Sequence, residues 1–234
     1  MAYCLEGDLI KYSGNYGAFD LDSIYFDDSK DLGGTQNALL RNNIQKIKIY
    51  TSNNNNNDII TGIQLTYINK YTKEIKELPV RKGKKDYEDE DIETFEISPG
   101  EYLINFFIRF PDDGEYIHQI GFETNKKRKI LKGSEKGNDK VIVSNGGDNI
   151  IVGTFGYFST KLDSCGVLYI NIKEFFKKFK IAFFELKYKL KKEEKYRKEI
   201  ESKYETFSES DKYLFKACLL PDATFSSIMK FCVL

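Results

Sequence analysis

From Ile44 to Ile172 the chain alternates apolar and polar residues with a period of two, in short segments separated by turn residues. That pattern constrains it to an all-β domain. Ile47/Ile49, Ile63/Leu65/Tyr67, Tyr102/Ile104/Phe106/Ile108, Ile120/Phe122, Val141/Val143 and Leu168/Ile170/Ile172 are each predicted to face a core. Breakers fall between them at Asn53 to Asn57, Lys82 to Asp91, Pro111 to Gly114, Gly133 to Asn138 and Asn145 to Asp148. The asparagine run is expected to be a tolerated loop insertion, because each doubling of loop length costs only about 0.6 kcal/mol. The mixed-charge stretch from Lys82 to Asp91 is expected to be a solvated loop.

After Ile172 the period becomes helical. Phe175, Phe179, Ala182/Phe183, Leu186 and Leu190 recur at spacings of three and four, and no Gly or Pro occurs between Asn171 and Leu220. The spacing predicts a long helix over about 173–206 and a shorter one over about 210–220, with Pro221 breaking the chain before a last apolar segment. The expected division is therefore a β domain, 1–172, and a helical C-terminal extension, 173–234. Charge follows the same division: residues 1–170 carry 21 Lys and Arg against 26 Asp and Glu, and residues 171–234 carry 15 against 10.

Several chemistries are disfavoured by composition. Cys4, Cys165, Cys218 and Cys232 lack C-x-x-C spacing, and His118 is the single histidine, so a zinc site, histidine-dependent catalysis and any cofactor are not expected. No Ser-His-Asp, Cys-His or paired-carboxylate arrangement can be assembled, which predicts a protein that is not an enzyme. The first thirty residues contain no apolar run of signal-peptide length and no stretch reaches eighteen apolar residues, so a cytoplasmic protein is expected. Cys232 is third from the end rather than fourth, and residue 2 is Ala, which argues against prenylation and N-myristoylation.

Four segments are more specific: Gly14-Asn-Tyr-Gly-Ala-Phe-Asp20, Ile97-Ser-Pro-Gly-Glu-Tyr-Leu103, Ile120-Gly-Phe-Glu-Thr-Asn-Lys126, and the run from Gly153 to Tyr169 that carries Leu162-Asp163 and Gly166-Val167. In this order and spacing, over roughly residues 9–172, the chain resembles the jacalin-related lectins. The resemblance implies a β-prism of three four-stranded antiparallel sheets. It also implies that Leu21 to Gly34 is an insertion, expected as a longer first loop.

For the site, the resemblance implies that a carbohydrate of mannose or galactose type is bound by Gly14, Gly17, Thr160, Lys161 and Asp163. The Asp163 carboxylate and the backbone of Thr160 and Lys161 would meet adjacent sugar hydroxyls. A selectivity loop would comprise Asp112, Asp113, Glu115 and Tyr116. Ser159 stands where the family motif has glycine, Phe158 before it is bulky, and the first loop is one residue short. Two readings of Asp163 therefore stand: sugar contact, or a local cap on its own hairpin. At the position of a second family sugar site the chain has Thr61 rather than a carboxylate, so no second site is expected.

Residues 173–192 hold eight lysines and two glutamates interleaved with phenylalanines. Such a helix suits an anionic membrane surface, or a protein partner touched by Phe175, Phe179, Phe183 and Leu186. The adjacent pairs Phe175-Phe176 and Phe183-Phe184 spread the apolar arc and favour burial against protein. Scarce arginine and no recognised motif argue against nucleic acid. Two functions follow: a glycan-binding module with a partner-docking tail, or a β-prism with a decayed sugar site serving as an interaction subunit, membrane-associated in one form.

Overall fold

The computed structural model describes residues 9–18, 21–34, 36–54, 57–83, 90–110, 117–135, 138–142 and 148–175, with Lys177, Tyr188, Lys192 and Lys198. The chain divides into two compact units, one formed by Asp8–Ile172 and the other by Met1–Gly7 with Lys173–Leu234.

The first unit is mainly β. Its strands are β1 (Ile10–Tyr12), β2 (Tyr16–Gly17), β3 (Ile24–Asp27), β4 (Asn42–Asn54), β5 (Asn57–Asn69), β6 (Ile75–Glu77), β7 (Arg81–Lys82), β8 (Glu90–Glu96), β9 (Leu103–Phe110), β10 (Gln119–Thr124), β11 (Lys129–Gly133), β12 (Asn138–Ile142), β13 (Asn149–Phe158) and β14 (Leu162–Asn171). Two short helices, α1 (Asp28–Asp31) and α2 (Gln36–Arg41), precede β4. Hydrogen bonding places the strands in two sheets. One has nine strands along β1-β14-β13-β9-β10-β11, with β2, β3 and β12 paired off the path; the other has five, β6-β5-β4-β8 with β7 on β5. The larger sheet is pinched where β13 meets β9, because that contact is the single pair Ile151–Leu103.

Both sheets turn their alternate apolar residues into one core. Ile47, Ile49, Ile63 and Tyr67 of the five-stranded sheet and Phe106, Ile120, Phe122 and Leu168 of the nine-stranded sheet are fully buried in the same cluster. Each such side chain stabilises the fold by roughly 1.5–3 kcal/mol. The period-two reading is met at these positions. Tyr102 is different: expected inside, it is 36% exposed. A register irregularity between Glu123 and Thr124 pairs Thr124 with Leu103, and Leu103 and Ile104 are the residues buried there. Val141 and Val143 lie outside the residues whose side chains are described.

Two expected loops are shorter than their sequence suggests. The asparagine run is largely strand, since β4 and β5 remain paired out to Asn54–Asn57. Leu21 to Gly34 is not simply a long loop: within it β3 adds to β13 through Ile24–Phe158, Tyr25–Tyr157, Phe26–Gly156 and Asp27–Phe155. Asp27 then caps α1, accepting from the Ser29 N–H at 2.8 Å. Asp28 enters the core, 2% exposed, and its Oδ2 accepts from Tyr67 Oη at 2.8 Å, Thr154 N at 2.8 Å and Thr154 Oγ1 at 2.9 Å. Burial pushes the Asp28 carboxyl above the ordinary aspartate range against these three donors, and burial beside Asp28 pushes the Tyr67 hydroxyl up as well. The insertion is thereby fastened to the centre of the domain.

In the second unit the described residues Lys173, Glu174, Phe175, Lys177, Tyr188, Lys192 and Lys198 are helical. Phe179, Phe183 and Leu186 lie outside the described residues, as does the segment 210–220. Among the described residues no helix is long and apolar enough to cross a membrane.

Candidate functional site

β13 and β14 form a hairpin whose last ladder pair is Phe158–Leu162, leaving Ser159, Thr160 and Lys161 at the tip. The tip is closed by the Ser159 N–H donating to the Lys161 carbonyl at 3.0 Å. Thr160 is exposed and Ser159 and Lys161 are half-buried. Asp163, one residue into β14, is only 3% exposed. Each of its carboxylate oxygens accepts a hydroxyl: Ser159 Oγ donates to Oδ1 at 3.0 Å and Ser23 Oγ donates to Oδ2 at 2.9 Å. A buried carboxylate needs such donors, since leaving one unmet costs about 1–3 kcal/mol.

The first loop lies along β14. Ser13 continues the β1 register, donating its N–H to the Val167 carbonyl at 2.9 Å and accepting from the Val167 N–H on its Oγ at 2.8 Å. Asn15 Nδ2 donates to Ser164 Oγ at 3.0 Å, and β2 pairs Tyr16 with Cys165 and Gly17 with Ser164. Gly17 has φ +113°, and a Cβ there would collide with the Asp163 carbonyl oxygen, so this position requires glycine twice over. Tyr16 stacks on Phe110, the last residue of β9, with ring centroids 6.4 Å apart. On the other side Gly83 sits against the Thr160 backbone closely enough that any Cβ would overlap it.

The structure thus brings Gly17 against Asp163, next to the tip that carries Thr160 and Lys161, while the Gly14 carbonyl lies farther along β14 against Gly166. Asp112, Asp113, Glu115 and Tyr116 lie outside the described residues. Cys165, behind Asp163, is fully buried, and that burial raises its thiol far above the ordinary range, which leaves it protonated and unreactive. Among the described residues no group of three His, Cys, Asp or Glu side chains is placed to hold a metal ion.

The sequence profile described as Jacalin-like lectin domain matches residues 28–168. The chain belongs to the jacalin-like lectin domain family. Solved structures with the same fold include a mannose-binding jacalin-related lectin from Ananas comosus (20% identity, 70% of this chain and 99% of that chain, TM-score 0.51). The Calystegia sepium agglutinin is similar at 20% identity over 70% of this chain and 99% of its own, with TM-score 0.54. Frutapin from Artocarpus incisa follows at 19% identity, the same coverages and TM-score 0.50. No curated protein matches the chain in sequence.

Within this jacalin-like domain, two of the segments that carry the resemblance serve the fold rather than the site. Glu101 of Gly100-Glu-Tyr102 is buried; it accepts from Thr124 Oγ1 at 2.6 Å, from the Ser98 N–H at 3.0 Å and from Arg128 Nη1 at 2.7 Å. Burial opposes its ionisation, but these donors and the Arg128 charge outweigh it and hold the carboxyl below the ordinary glutamate range. Asn125 Oδ1 in turn accepts from the Tyr102 N–H at 3.0 Å. Together these contacts latch the turn before β9 to the turn after β10.

Three participants at the site escape a reading of the sequence. Ser23 lies in the insertion, Gly83 in a mixed-charge segment, and Ser159 registers as a departure from glycine rather than as a donor to Asp163. The one available signal was Ile24-Tyr-Phe-Asp27, whose β-branched and aromatic residues mark a strand able to carry Ser23 to the hairpin.

Proposed function

We propose that this jacalin-like domain is a non-enzymatic carbohydrate-binding module whose site is the hairpin tip, Thr160, Lys161 and Asp163, with Gly14 and Gly17 of the first loop. The observation that carries the reading is Asp163, a buried carboxylate beside the hairpin tip that accepts one hydroxyl on each oxygen. A sugar hydroxyl would present the same kind of donor to this carboxylate. Related structures lend support: the Ananas comosus protein is a mannose-binding lectin, and Calsepa lectin, of the same fold, is seen in complex with a biantennary N-glycan. Mannose- or galactose-type glycans are the proposed ligands, and the pinched nine-stranded sheet is read as two of the three faces of a β-prism. Calorimetric titration of the full chain with methyl α-mannoside and methyl α-galactoside tests this. Binding in the millimolar range or tighter, about −4 kcal/mol or better, lost in Asp163→Ala, is expected. Equal heats for wild type and variant would exclude the site.

A second reading is favoured by the same two serines, because they already hold Asp163. In it the domain, 1–172, is an interaction subunit and residues 173–234 form a helical segment that docks a protein partner through its apolar residues. Deletion of 173–234 would then abolish partner association while leaving a folded β domain; association surviving the deletion would exclude this reading.

A further inference from the structure

Ser23 and Ser159 hold the same carboxylate from very different positions. Ser159 is fixed inside the hairpin tip by its own N–H bond to the Lys161 carbonyl. Ser23 precedes the first β3 ladder pair, Ile24–Phe158, and follows an exposed turn in which Leu21 is fully exposed. Downstream the insertion is fastened by the β3 ladder, the Asp27 cap, the Asp28 contacts in the core and the ion pair of Arg81 with Asp31. A displacement of Ser23 by movement of the 21–23 turn leaves these contacts in place.

We propose that Ser23 is a built-in competitor for the glycan: its hydroxyl holds Asp163 Oδ2 where a sugar hydroxyl binds on the carbohydrate reading above, and ligand binding exchanges one for the other. Ser159 remains on Oδ1 as a fixed donor and sets the direction from which the ligand hydroxyl approaches. Exchange of one hydroxyl for another conserves the count of hydrogen bonds on Oδ2, so the ligand gains from that oxygen only the surplus of its other contacts. The insertion thereby lowers affinity without dismantling the site, and selects ligands able to contact more than Asp163 alone.

The test is a melting cycle of the full chain as wild type, Ser23→Ala, Asp163→Ala and the double variant, with methyl α-mannoside and methyl α-galactoside titrated against each. Ser23→Ala is expected to lower the melting temperature when Asp163 is present and to have no effect when Asp163 is absent. It is also expected to bind one of the glycosides at least tenfold more tightly than the wild type, and neither Asp163→Ala variant is expected to bind. An equal melting shift in both backgrounds overturns the Ser23 contact whatever the sugars do. Equal affinity of wild type and Ser23→Ala overturns the competition and leaves the carbohydrate reading standing. A shift that depends on Asp163 with no binding by any variant overturns the carbohydrate reading, and the competition with it.

Discussion

Asp28 and Asp163 are almost equally buried, 2% and 3% exposed, yet they are held in opposite ways. Asp28 takes its donors from the middle of the domain: a fully buried tyrosine on β5 and the main chain and side chain of Thr154 on β13. Asp163 takes hydroxyls from Ser159 at a hairpin tip and Ser23 beside an exposed turn. The first set is available only when the two sheets are packed; in the second, Ser23 is the donor proposed to give way to a ligand hydroxyl. Burial alone therefore does not separate a structural carboxylate from one proposed to bind. The origin of the donors does.

The largest test of that contrast is Asp28→Ala. It strips acceptors from buried groups and leaves a hole between the sheets, and is expected to lower unfolding stability by about 3 kcal/mol, measured by denaturant titration. Gly17→Ala comes next: the collision with the Asp163 carbonyl and the positive φ should cost about 1–3 kcal/mol and loosen β2 from β14, reducing amide protection at Gly17. Asp163→Ala should cost no more than about 1 kcal/mol, because water can satisfy serine hydroxyls at a tip. A loss matching that of Asp28→Ala would break the comparison.

The smallest effect is a difference in slope with pH. Asp28 has a raised carboxyl pKa in the folded state, so its protonated form favours folding. Its contribution is fully present below the ordinary aspartate value of about 3.9 and is lost as pH rises through the folded value. Glu101 is lowered, so its contribution is present above about 4.3 and is lost as pH falls through the folded value. On acidification the wild type should thus gain on Asp28→Asn and lose on Glu101→Gln. Parallel slopes for the two variants would contradict the assigned environments.

Much of this was legible before any coordinates. Alternation at Ile47/Ile49 and Phe106/Ile108 marks buried faces because a half-buried strand repeats every two residues. Asp163, Gly14 and Gly17 stand out through the segments in which the chain resembles the jacalin-related lectins. What stayed hidden depends on contacts across the chain. Glu101 meets Thr124 and Arg128 only after β9 and β10 pair, and Ser23 meets Asp163 across 140 positions. The insertion was expected to be a longer loop because the resemblance marks Leu21 to Gly34 as extra residues; Asp27 and Asp28 instead make it a helix cap and a core anchor. A register irregularity likewise overrode the expected inward placement of Tyr102.

The most direct test of the central claim is a glycan array probed with the full-length wild type and Asp163→Ala side by side. The account predicts signal on mannose- or galactose-terminated glycans that is absent for the variant. Identical patterns for the two proteins, or no signal for either, would contradict Asp163 as the point of glycan contact.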